Sequence, residues 1–122
     1  SRSATDFVFE KDSKGIEYLH YAGNTMISED GLKNLPAKKS YTVQISRKNG
    51  YAKWFRVGTK TADRKLRIRL PEGIDAMAAV YDANGTCQYD SYVSSKRAVT
   101  LPEDGYVVFA GAPGASVQVT IR

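Results

Sequence analysis

Lys65, Arg67 and Arg69 place three cations at alternate positions, and that spacing is the clearest chemical signal in the chain. In an extended strand alternate side chains share one face, so the three would stand in a line about 7 Å apart. Leu66, Ile68 and Leu70 would occupy the opposite, oily face. A line of fixed positive charge draws polyanions by steering and by release of their counterions. A charged strand that guards a sheet against edge-to-edge aggregation is the alternative reading.

Trp54 and Arg56 offer a second chemistry. If Tyr51, Phe55 and Val57 point inward, Ala52, Trp54 and Arg56 point outward, with an indole beside a guanidinium. The indole could receive the face of a sugar or a base, and the guanidinium a carboxylate, sulfate or phosphate. Against this, large aromatic residues usually pack inside, which favours Trp54 in the core. Were the strand carrying Arg56 to neighbour the one carrying Lys65, Arg67 and Arg69, the sheet would display one basic patch of four cations.

Asp75, Asp82 and Asp90 are the only constellation that suggests a metal, since carboxylates at the ends of neighbouring strands suit calcium. Their spacing is not that of an EF-hand, and Asp82-Ala83-Asn84-Gly85 is equally what a tight turn requires. The turn is the preferred reading, and no cofactor is expected. His20, the single histidine, lies between Leu19 and Tyr21 with no nucleophile or second ligand near it in sequence. Cys87, the single cysteine, has no neighbouring histidine to stabilise a thiolate and rules out an intrachain disulfide. Phosphate loops and paired metal-ligand motifs are missing, so a non-enzyme is expected.

The elements that must position these residues are strands. Tyr41, Val43 and Ile45 alternate with Thr42, Gln44 and Ser46, and Val117, Val119 and Ile121 alternate with Ser116, Gln118 and Thr120. The runs Tyr51 to Val57, Ala76 to Tyr81, Gln88 to Val93, Ala98 to Leu101 and Tyr106 to Ala110 are continuously apolar enough to be buried on both sides. Asn49-Gly50, Asp82 to Gly85, Glu103-Asp104-Gly105 and Gly111 to Gly114 supply the turns. The best helical segment, Ser28 to Lys33, is interrupted by Gly31 and halted before Pro36.

The sum is an all-β chain of about 8–10 strands, an antiparallel β-sandwich of jelly-roll type, with N-terminal hairpins over residues 1–40 and the main sandwich over 41–122. The length of 122 residues suits one domain, and no apolar run is long enough for a membrane-spanning helix. Net charge is +5, yet the stretch Lys38 to Arg69 alone carries eleven Lys or Arg against the single acid Asp63. The remaining residues are net acidic, so the positive field belongs to one part of the chain.

The order Trp54-Phe55-Arg56-Val57, then Leu66 to Leu70, then Asp75 to Gly85, and finally Tyr106 to Gly111 with Val117 to Ile121, resembles the bacterial pre-peptidase C-terminal domains. These and related jelly-roll modules accompany secreted hydrolases, and the resemblance covers about two thirds of the chain. It implies a piece of a longer, exported bacterial protein, extracellular or on the cell surface, without catalysis of its own. The chain departs from that pattern in its basic middle and in having fewer acids around Ala76 to Val80. The expected role is binding a polysaccharide or other polyanion through Arg56, Lys65, Arg67, Arg69 and Trp54. A structural role, with the basic face docked on an acidic neighbouring domain, is the alternative. A nucleic-acid-binding domain ranks third, because the aromatic motifs of oligonucleotide-binding barrels are missing.

Overall fold

Period-two alternation becomes strand over Ser40–Gln44, Lys65–Arg69 and Ser116–Ile121. The computed structural model describes residues 8–11, 17–21, 24–27, 33–45, 52–70, 76–91, 98–112 and 114–122, with eleven strands among them. The first three, β1 (Val8–Lys11), β2 (Glu17–Tyr21) and β3 (Asn24–Ile27), form an antiparallel meander, with Phe9 opposite Leu19 and Leu19 opposite Met26.

The other eight are β4 (Ser40–Gln44), β5 (Ala52–Arg56), β6 (Lys65–Arg69), β7 (Ala76–Tyr81), β8 (Cys87–Asp90), β9 (Val99–Thr100), β10 (Tyr106–Gly111) and β11 (Ser116–Ile121). They make two four-stranded antiparallel sheets, one in the order β5-β10-β7-β8 and the other β4-β11-β6-β9. Successive strands cross from sheet to sheet at every step except the hairpin β7-β8, which is the winding of a jelly roll. The sandwich expected from the sequence is therefore the fold, with eight strands in the two sheets and three more in the meander. The segment Ser28 to Leu32 and the turn at Asn49-Gly50 lie outside the described residues.

Burial follows the alternation. Leu66 and Ile68 of β6, Val117, Val119 and Ile121 of β11, and Val43 of β4 face Phe55, Val80, Val107 and Phe109 of the other sheet in one continuous core. Phe55 and Phe109 meet edge to face, ring centroids 5.9 Å apart. Each such side chain removed from water stabilises the fold by roughly 1.5–3 kcal/mol before conformational entropy is counted. Backbone hydrogen bonding also reaches past the ladders: beyond the end of β8, the Ser91 hydroxyl accepts the Ala78 N–H at 2.9 Å.

The two sheets differ on their outer faces. On the β4-β11-β6-β9 sheet these positions are polar, as the exposed–buried alternation of β6 shows. The β5-β10-β7-β8 sheet has a second apolar cluster there. Ala79, Tyr81 and Val108 expose nothing and Tyr106 exposes 8%, with Trp54, Met77, Cys87 and Ala110 packed around them. This is why β7 and β10 read as unbroken apolar runs.

Turn chemistry is divided between neighbours in one place. In Glu103-Asp104-Gly105 it is Asp104 that takes positive φ (60°), while Gly105 is required because a Cβ there would run into the Tyr81 carbonyl and Pro102.

Tyr41 of β4 is partly buried against the core, and its hydroxyl has no hydrogen-bond partner among the described residues. Burial pushes its ionisation well above the ordinary tyrosine value near 10. The folded form thus holds its proton where the unfolded chain would release it, so this contribution to stability is complete below about pH 10 and is lost as pH rises beyond it. Urea unfolding of Tyr41→Phe should show stability at pH 7 equal to or up to about 1 kcal/mol above wild type. At about pH 10.5 the variant should lose less stability than wild type.

A cationic sheet face as the candidate functional site

Lys65, Arg67 and Arg69 stand where their alternation places them, all exposed on the outer face of β6, while Leu66 and Ile68 point into the core. Strand β6 is an inner strand, flanked by β11 along its length and by β9 at Lys65 and Leu66. Its pairing partners set what surrounds the cations. Across the β6–β11 ladder Arg67 lies opposite Thr120 and Arg69 opposite Gln118, and β11 in turn sets Thr120 opposite Ser40 and Gln118 opposite Thr42. On the other side Lys65 is opposite Thr100 and donates to its hydroxyl through Nζ at 2.7 Å.

The outer face is thus a row of cations bordered by rows of hydroxyl and amide groups. Ser40, Thr42, Gln44, Thr100 and Gln118 are exposed, and Ser116 and Thr120 half-buried. No outward position on these four strands is a carboxylate, so the strands themselves place no acid among the cations. Strand alternation named the cations; the flanking polar rows could be recognised only once strand order was known.

Trp54 and Arg56 do not join this face. Their strand, β5, belongs to the other sheet, so the single basic patch considered from sequence is not formed. Phe55 and Val57 point into the main core, so Trp54 is turned outward, in ladder register with Val108 as Arg56 is with Tyr106. It is not an open platform, however. Trp54 is half-buried in the second apolar cluster, its ring 6.2 Å from that of Tyr81, and the Arg56 guanidinium sits 5.3 Å from the Tyr106 ring centre. A cation over an aromatic face at that distance is an attractive contact within the protein. Trp54 is therefore neither in the inter-sheet core nor an exposed aromatic.

Of the three aspartates, Asp82 and Asp90 are among the described residues. Asp82 holds its own turn: Oδ1 accepts the backbone N–H of Asn84 and of Thr86, each at 2.9 Å, and Oδ2 accepts Gln88 Nε2 at 3.2 Å. Asp90 stands at the far end of β8, opposite Ala79, and Asp75 lies outside the described residues. Among the described residues no group of three or more His, Cys, Asp and Glu is placed to hold a metal ion. Replacing Asp82 by Ala should cost about 1–3 kcal/mol in urea unfolding, and Asp82→Asn, which keeps an acceptor, should cost less. If calcium raised the wild-type melting temperature and not that of Asp82→Ala, the turn reading would be wrong.

Burial pushes the Cys87 thiol up, with Asp90 adding to the shift and the hydrogen bond to the Tyr89 carbonyl opposing it. Thiolate, the reactive form, is correspondingly scarce at neutral pH. His20 pairs with Val8 and Thr25 in the N-terminal meander. No helix among the described residues is long and apolar enough to cross a membrane. Compared with family models, with curated proteins and with solved structures, the chain matches none.

Proposed function

We propose that this domain is a non-catalytic binding module that takes an anionic polymer on the outer face of the β4-β11-β6-β9 sheet. The observation that carries the reading is the line of Lys65, Arg67 and Arg69, exposed on a sheet whose outward strand positions include no acid. Three aligned cations fit a ligand with repeated negative charges better than a small anion, which would meet only one or two of them. The jelly-roll winding is in keeping with an accessory module of an exported bacterial protein, as the resemblance of Tyr51 to Ile121 implies. Trp54 and Arg56 are left out of the binding face, since both are engaged in the second apolar cluster of the other sheet.

The test is chromatography on immobilised dextran sulfate at low ionic strength with a salt gradient. Wild type should be retained and should elute earlier when Lys65, Arg67 and Arg69 are replaced by Ala. Retention that is unchanged in this triple variant would overturn the reading. So would wild-type passage through the column without delay, which would favour docking of the face on an acidic domain instead.

A further inference from the structure

Charge alone would accept any polyanion, but the face carries more than charge. Each arginine of β6 begins a row that runs perpendicular to the strands: Arg67, Thr120, Ser40, and Arg69, Gln118, Thr42. Neighbouring strands are about 4.8 Å apart, so neutral hydrogen-bonding groups lie roughly 5 and 10 Å from the line of cations. No outward position on the four strands is aromatic. That combination separates the polymer classes. Single-stranded nucleic acid is held by bases stacking on aromatic side chains, for which this face has no partner. A duplex presents its phosphates as two curved rails, whereas a single straight row of cations on a sheet can follow only one of them. A sugar ring that bears a carboxylate offers its anion and its hydroxyls side by side.

We infer that the polymer is a linear acidic polysaccharide of the uronate class. It lies along β6, with carboxylates on Lys65, Arg67 and Arg69 and ring hydroxyls over Thr120, Gln118, Ser40 and Thr42. This rests on the proposed function of the same face. The hydroxyl and amide rows select the polymer, and the cations supply the attraction common to all polyanions. Thr120 and Gln118, in the strand next to the cations, therefore distinguish a uronate polymer from a polymer that is charge and nothing else.

The experiment compares polygalacturonate, inorganic polyphosphate, oligothymidylate and duplex DNA, matched in anionic charge, by titration against the whole chain. Wild type should bind polygalacturonate most tightly. Thr120→Val with Gln118→Leu should weaken polygalacturonate about tenfold, the equivalent of one or two hydrogen bonds, and leave polyphosphate within about twofold. Thermal unfolding of the double variant checks that the fold is intact, and Thr120→Ser with Gln118→Asn, which keeps the polar groups, should restore most of the affinity. Equal weakening of both polymers, or no weakening of either, would overturn the inference, as would tighter binding of oligothymidylate or duplex DNA. In those cases binding that still depends on Arg67 and Arg69 leaves the proposed function standing. Failure of all four polymers to bind would overturn both.

Discussion

Val108→Asp should leave the domain unfolded at room temperature, although the residue it replaces is on the outer face of a sandwich sheet. In a sandwich with solvent on both outer faces such a position tolerates charge. Here Val108 is fully buried, with Trp54 and Ala79 opposite it in the flanking strands and Tyr81 and Tyr106 in the same cluster. An unpaired carboxylate in that setting costs several kcal/mol, against a total stability of about 5–15 kcal/mol for a domain. The comparison is Gln118→Asp, an exposed outward position in the other sheet, which should change stability by no more than about 0.5 kcal/mol. Circular dichroism and urea unfolding of the two variants measure the difference directly. A folded Val108→Asp protein with stability close to that of Gln118→Asp would show that the two outer faces do not differ in the way described.

The second large effect is on binding. Arg67→Glu with Arg69→Glu converts two of three aligned cations to anions on a sheet whose outward strand positions include no other acid. Affinity for a sulfated or uronate polymer should fall at least about 100-fold, near 2.7 kcal/mol, and the salt dependence of what remains should flatten. Both substitutions are at exposed positions, so the fold should be little affected. Net charge changes by the same amount in Lys33→Glu with Lys60→Glu, two exposed lysines outside the four strands of the face. That control should lose no more than a few fold, through the weaker general field. Equal losses in the two double variants would mean that the total charge of the protein, and not this face, governs attraction.

How much of this could be read from the chain depends on how local the determinant is. The two faces of β6 were legible, because Lys65 to Leu70 alternates without exception and period two has one structural meaning. The turn at Asp82 was equally legible, since a short acid followed by Asn84-Gly85 captures its own backbone donors within a few residues. Strand order was not. β5 and β6 are successive in the chain, yet the segment between them crosses from one sheet to the other, a consequence of the global winding that no local pattern records. The position of Trp54 failed for a related reason. The alternation of its own strand offers only core or open outer face, whereas this outer face is itself buried. The signal for that lay in other strands, in the apolar runs Ala76 to Tyr81 and Tyr106 to Ala110, which become neighbours of one another only on folding. The hydroxyl rows of the candidate site were likewise present as alternation in Ser116 to Ile121 and Tyr41 to Ile45. Their proximity to the arginines followed from the order β4-β11-β6.

The most direct measurement is a backbone and arginine side-chain NMR titration of the labelled chain with oligogalacturonate at low ionic strength. Shifts concentrated on Lys65 to Arg69, Gln118, Thr120 and Thr42, with the indole signal of Trp54 unmoved, are the predicted result. Shifts centred on Trp54, Arg56 and Tyr106, or spread evenly over all lysines and arginines, would contradict the assignment of function to the cationic face.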